Sequence, residues 1–191
     1  MDNYLHIITH DVPWPADFGG VVDLFYKIKA LHNLGIKIHL HCFTGGRAEQ
    51  KILNKYCVSV QYYQRKKGFA SFSFRTPYIV NSRKEDALLK NLEQDNYPIL
   101  LEGIHCTYFL QIDKLKNRKV FVRLHNVEYK YYEQLAKYET NFARKAYFKM
   151  ESRLLKRYEA VLAKKAIYWA VSNDDIQVYK NEFHAQHINF M

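Results

Sequence analysis

Short apolar runs alternate with amphipathic stretches along nearly the whole chain. Tyr4 to Thr9 reads as a buried strand, followed by the turn Pro13-Trp14-Pro15-Ala16-Asp17-Phe18-Gly19-Gly20. From Val21 to Leu34, apolar residues at Val21, Leu24, Phe25, Ile28, Leu31 and Leu34 keep the spacing of one helix face. Gly35 closes that helix, and Ile36 to Phe43 is a second strand. Thr44-Gly45-Gly46 turns the chain into a short helix near Arg47 to Lys55, and Cys57 to Tyr63 is a third strand. Gln64 to Ser82 breaks the rhythm and reads as a long loop with a short helical piece.

Further along, Arg83 to Gln94 is predicted helical, Pro98 to Glu102 a fourth strand and Lys119 to Leu124 a fifth. Val127 to Lys137 is a helix. A long one runs from about Asn141 to Lys165, with Phe148, Leu154, Leu155, Tyr158 and Leu162 on one side. Ile167 to Val171 gives a sixth strand, and Asp174 to Glu182 a last helix capped by Ser172 or Asn173. His187 to Met191 looks like the start of one more extended segment. Strands alternating with helices imply right-handed crossovers and a mostly parallel sheet covered on both faces. Ligands then sit beyond the carboxyl ends of the strands, so the turns after the first, second, fourth and fifth strands are where chemistry is expected.

Length and composition narrow this picture. At 191 residues the chain suits one domain with a full core. Lys and Arg exceed Asp and Glu by ten, and sixteen tyrosines with twelve phenylalanines add an aromatic surface. That combination suits anionic lipid headgroups, nucleic acid or phosphorylated ligands, and charge alone does not choose among them. No recognised RNA- or DNA-binding module is visible, so a nucleic-acid partner is not expected. The start of the chain lacks a basic leader, and no stretch approaches the roughly twenty apolar residues of a spanning helix. Cys42, Cys57 and Cys106 are an odd number without close pairing, which suits free thiols in a reducing cytoplasm. The expectation is a cytoplasmic protein able to touch a membrane without crossing it.

The candidate chemistry sits on the turns. A strand, a turn ending in Gly19-Gly20 and a helix N-terminus together can hold an anion, because unpaired backbone N–H groups and the helix dipole point at it. The same glycine pair also reads simply as a turn, and it is not the G-x-G-x-x-G dinucleotide fingerprint. Arg123-Leu124-His125-Asn126-Val127-Glu128 ends the fifth strand: His125 suits a sugar hydroxyl or a phosphate, and Asn126 suits a helix cap. Glu102-Gly103-Ile104-His105-Cys106 ends the fourth, where a ligand-binding Glu102 or His105 competes with a plain helix-entry turn. His39, His41 and Cys42 lack the partner pair that a zinc site needs, and His184 and His187 lie in a terminal segment, so no metal site is expected. Glu151 and Glu159 are expected on a solvated helix face, pairing with neighbours such as Arg144 or Lys156. No Ser-His-Asp order, H-E-x-x-H or P-loop lysine motif occurs. In the loop Arg65 to Arg75, the cations Arg65, Lys66 and Lys67 suit phosphate headgroups while Phe69, Phe72 and Phe74 insert shallowly into the interface. Packing of those phenylalanines back on the domain is the alternative.

Taken in order, these pieces resemble the N-terminal domain of family 4 glycosyltransferases of the GT-B fold. The resemblance rests on the Pro13 to Gly20 turn and the Leu31-His32-Asn33-Leu34-Gly35-Ile36-Lys37-Ile38-His39-Leu40 passage. It also rests on His125-Asn126-Val127-Glu128, the Glu151 to Glu159 helix, and Tyr168-Trp169-Ala170-Val171-Ser172-Asn173-Asp174-Asp175. It covers almost the whole chain and implies a Rossmann-like, doubly wound domain. The implied reaction is a retaining, metal-independent transfer of a sugar from a nucleotide-sugar to a surface-glycan or glycolipid acceptor. By the resemblance Gly19 and Gly20 contact the donor diphosphate and His125 is catalytic, near the reacting carbon. Asp17, Glu102, Asn126 and Glu128 are then acceptor-side residues. Lys37-Ile38 departs from the family's usual pair at a structural position. The nucleotide-binding domain, with its two glutamates eight apart, is missing; Glu151 and Glu159 have that spacing in the wrong half. The chain alone is therefore expected to be inactive and to hold no cofactor. The competing reading is a non-catalytic Rossmann-like module for an anionic partner.

Overall fold

The computed structural model describes residues 3–191. The chain runs β1 (Tyr4–Thr9), α1 (Gly19–Asn33), β2 (Lys37–Thr44), β3 (Ser59–Gln64), α2 (Tyr78–Asn81), α3 (Asp86–Leu92), β4 (Ile99–Glu102) and α4 (Tyr108–Gln111). It continues with β5 (Val120–Leu124), α5 (Glu128–Tyr138), α6 (Phe142–Leu162), β6 (Ile167–Ala170), α7 (Asn173–Phe183) and β7 (Ile188–Phe190). All seven strands are parallel, in the order β3-β2-β1-β4-β5-β6-β7, with helices on both faces. This is the α/β, Rossmann-like arrangement expected from the alternating pattern. The extended segment at His187 is realised as β7, paired to β6.

The inner strands β1, β2, β4 and β5 are rich in buried residues, as a sheet covered on both sides requires. One core lies between α1 and the β1–β2 half, built on Leu24, Phe25, Ile28, Ile38 and Leu40. The larger one joins α3, α6 and α7 to the other face through Leu88, Leu155, Leu162, Tyr168 and Tyr179. Gly35 has a φ of +79°, the left-handed turn that ends α1 without a Cβ penalty. The helix expected from Arg47 shrinks to a single 3-10 stretch, Lys51–Lys55, and the 65–77 loop holds another at Gly68–Ser71.

The long helix differs most from its sequence reading. Glu151 and Glu159 are not on a solvated face: both are fully buried, while Arg144 pairs with Glu139 and Lys156 with Glu182. Phe148 and Leu154, expected in the core, are only half-buried. The carboxyl of Glu159 accepts the backbone N–H groups of Glu128 at 3.1 Å and Tyr129 at 3.0 Å, and the Tyr179 hydroxyl at 3.0 Å. Glu151 accepts the N–H of Tyr78 at 2.8 Å. Each carboxyl thus supplies a helix start elsewhere in the chain with an acceptor, which α5 lacks locally. Asn126 does not cap α5; Val127 occupies that place and Asn126 is exposed.

Glu159→Leu leaves two amides and a phenol without an acceptor, each worth about 1–3 kcal/mol when buried. Its chemical-denaturation midpoint is expected to fall well below that of Arg153→Leu, an exposed control on the same helix. Equal midpoints would mean that solvent replaces the carboxyl.

Candidate functional site

The strand order reverses between β1 and β4, and there the loops after the two strands diverge to opposite faces. Open α/β sheets bind ligands at this crevice, outside the carboxyl ends of the strands. Here β1 hands over to His10, β4 ends at Glu102 and leads to His105, and β5 hands over to His125. The His10 and His105 rings stack with centroids 5.1 Å apart, and His125 meets His10 edge-on at 5.5 Å. Gly103, with φ +83°, permits this: a Cβ there would lie 2.9 Å from His105 Nδ1 and 3.2 Å from His125 Cδ2.

Helix α1 covers the crevice from the other side. Its Asp23 carboxylate takes Arg123 at 3.1 Å, and its Lys27 ammonium, one turn further on, takes the Glu102 carboxylate at 2.7 Å. Glu102 also faces His125 Nε2 at 3.5 Å and Arg123 at 3.7 Å, while Arg123 and His125 Nδ1 are 3.0 Å apart. Helix α1, which opens at Gly19, is thus tied to the histidine corner after β5 through Asp23 and Arg123. Gly19 has no atom within 4 Å of where a Cβ would be, and α1 starts without a side-chain cap or an acidic first turn. That end is open to an approaching anion.

The electrostatics are unusual for so small a volume. Burial works to raise the Glu102 carboxyl, yet His125 and Lys27 outweigh it and hold it down at about 2. Burial, with the nearby His125 and Arg83, pushes His10 down to about 4. His105 lies well below the ordinary histidine value, again through burial and then Arg83. The guanidinium of Arg83 donates to the His10 carbonyl at 3.1 and 3.2 Å and is lowered to about 10 by burial. Glu128, buried beside this rim, is raised to about 7 by burial. Among the described residues, seven buried side-chain polar atoms have no hydrogen-bond partner in the protein. Five of them meet here: His10 Nδ1, His105 Nδ1, Glu102 Oε2, Arg123 Nε and His125 Nε2. Buried polar groups are normally satisfied; Glu102 Oε2 and His125 Nε2 face each other at 3.5 Å, and the remaining atoms leave hydrogen-bonding capacity that a water or a ligand can take up.

The structure brings Glu102 and His125 together and ties Glu102 through Lys27 to α1, the helix that opens with Gly19 and Gly20; Glu128 is buried at the start of α5. Asp17 points elsewhere, into an ion pair with Arg47, whose side chain also donates to the Pro15 carbonyl at 2.7 Å. Arg47 thereby buckles the glycine turn against the loop after β2. Of the loop cations, Arg65 bonds Ser82 Oγ at 3.2 Å and Lys66 bonds the Lys84 carbonyl at 2.7 Å, so both hold the loop itself; Lys67 is exposed. Sequence reasoning missed His10, Asp23, Lys27 and Arg83. His10 was within reach of the strand-end argument applied to β1, whereas Arg83 carries no local signal.

A second polar column lies on the other side of the β1–β2 pair. His6 Nδ1 and His41 Nε2 are 2.9 Å apart, His41 Nδ1 meets the Tyr63 hydroxyl at 2.8 Å, and Asp95 takes His6 Nε2 at 3.0 Å. Burial lowers His6, and it takes His41 to about 3. Four histidines are thus kept neutral by the fold. An unfolded histidine takes a proton below about 6.5; these do not, so their contribution is complete above that pH and is lost as pH falls towards their folded values. Glu102 adds to the loss at still lower pH. Glu128, and Glu159 (raised to about 8 by burial), act oppositely, losing stability as pH rises from 4.5 through those values. Melting temperature is expected to peak between about pH 6 and 7 and to drop steeply below 5; a plateau down to pH 4 would contradict the buried neutral histidines.

No family model matches the chain. It is similar to an uncharacterized 44.6 kDa protein in the cps region of Klebsiella pneumoniae, with 26% identity over 149 residues. The match covers 74% of this chain and only 38% of that relative. Among the described residues, no helix is long and apolar enough to cross a membrane.

Proposed function

We propose that this chain is the acceptor-side half of a GT-B-type glycosyltransferase that moves a sugar from a nucleotide-sugar to a surface-glycan or glycolipid acceptor. The observation that carries the reading is the cluster of orphaned polar atoms at the switch point, covered by α1, whose start is open. A sugar hydroxyl both donates and accepts, so it can meet the partly exposed His125 imidazole, behind which the buried Glu102 carboxylate sets the ring's charge environment. A leaving diphosphate gathers negative charge, and an uncapped helix start with no Cβ at Gly19 or Gly20 suits it. Asp17, Asn126 and Glu128 are the remaining acceptor-side candidates, and His125 the group nearest the transferred sugar.

The similarity to a protein of a cps region, a capsular-polysaccharide locus, supports a place in glycan assembly. Because most of that relative lies outside the match, it has room for the second, nucleotide-binding lobe that the reaction requires. The test offers nucleotide-sugars to the full-length protein with a lipid-linked or oligosaccharide acceptor and measures release of the nucleotide. Transfer is expected from the full-length protein and none from residues 1–191 alone. Turnover by the 191-residue chain unaided would overturn the two-lobe reading.

A further inference from the structure

The outward face of α6 carries six cations, Arg144, Lys145, Lys149, Arg153, Lys156 and Arg157, and no exposed anion. The reason is structural: both carboxyls of this helix are turned inward, Glu151 to Tyr78 and Glu159 to the start of α5. Arg144 and Lys156 have acidic partners on other elements, whereas Lys149, Arg153 and Arg157 have none among the described residues. Phe142 leads the stripe and is 85% exposed.

The loop after β3 lies against this face. Phe74 borders a groove with Lys149, Met150, Arg153, Leu154 and Arg157, and Phe72 packs edge-on against it at 5.0 Å. Phe74 is nonetheless 78% exposed and Phe69 is 98% exposed. Bare phenylalanines beside uncompensated cations are not a solvated surface. They match an interface that offers phosphate at one depth and hydrocarbon just below it.

We propose that the 68–75 loop and the outer face of α6 form one docking surface for an anionic phospholipid bilayer. Phe69 and Phe74 enter the acyl boundary while Lys149, Arg153 and Arg157 meet headgroup phosphates. The same segment continues through the mostly buried α2 to Arg83, which holds the His10 carbonyl. The argument rests on the surface alone and not on the sugar-transfer reading.

Flotation with phosphatidylcholine vesicles, with and without phosphatidylglycerol, tests it. Binding is expected only to the anionic vesicles and is expected to weaken with salt. At roughly fivefold per cation removed, K149E/R153E/R157E should bind at least about a hundredfold more weakly, since each glutamate also adds repulsion, and F69S/F74S at least tenfold more weakly. All five positions are exposed, so melting temperatures are expected to match the parent, and variants that melt lower are replaced by K149Q/R153Q/R157Q. The proposal fails if wild type ignores anionic vesicles, or if both variants bind them as well as wild type. It also fails if these substitutions instead abolish self-association in sedimentation or retention of single-stranded nucleic acid.

Discussion

Replacing Glu102 with leucine is expected to destabilise the protein by about 3–5 kcal/mol, the cost of removing one partner from a buried ion pair. The carboxylate is fully buried and is the shared counter-ion of Lys27, at 2.7 Å, and of the more distant Arg123 and His125. The Lys27 and Arg123 side chains are themselves only 9% and 8% exposed, so neither reaches water freely when the carboxylate goes. A loss of that size is a large fraction of a typical domain's stability of about 5–15 kcal/mol. Glu102→Gln keeps the shape and an acceptor, and it should fall between leucine and wild type. Urea denaturation measures both. A cost below about 1 kcal/mol for leucine, the range of exposed pairs, would show that Lys27 and Arg123 find solvent and that the crevice is open to water.

His125→Ala is expected to lower kcat/KM of the full-length protein by about a hundredfold or more, measured below the melting temperature of both proteins because the change also removes a counter-ion of Glu102. Loss of a positioned hydrogen-bonding or proton-handling group in a partly desolvated site costs about 10²–10⁴ in rate. His125 is 17% exposed and its Nε2 faces the buried Glu102 carboxylate at 3.5 Å, so the ring both supports that carboxylate and reaches the rim of the crevice. His10→Ala is the comparison: it empties a buried stacking position and should lower stability as well as rate. If His125→Ala turns over within threefold of wild type, the proposed role of the β5 corner is wrong, although the crevice itself would stand.

Much of the crevice was legible before any coordinates. Alternation of short apolar runs with helical periodicity places the ends of the fourth and fifth strands on one rim, and both Glu102 and His125 lie there. The glycine pair marks the start of α1 correctly: the helix opens at Gly19, without a side-chain cap. What was not legible is how those corners are joined. The helical pattern from Val21 to Leu34 gives Asp23 and Lys27 no partner, and Arg83 reads as the first residue of a helix that in fact begins at Asp86.

The eight-residue spacing of Glu151 and Glu159 gives the sharpest contrast. Spacing along a helix says that two side chains share a face, and nothing in it says which face meets the core. Apolar neighbours leave that face ambiguous, since Phe148 and Leu154 compete with Leu155 and Leu162 for the inward direction. Three-dimensional packing decided it by bringing two helix starts with unsatisfied N–H groups to the carboxyls, and that choice also stripped the outer face of every anion.

Element type and order came from the sequence by itself, because hydrophobic periodicity is a local property and parallel crossovers follow from it. The partners of buried polar groups came only from the tertiary structure. A hydrogen bond or ion pair is set by through-space distance between segments tens of residues apart, and one-dimensional spacing does not encode that distance.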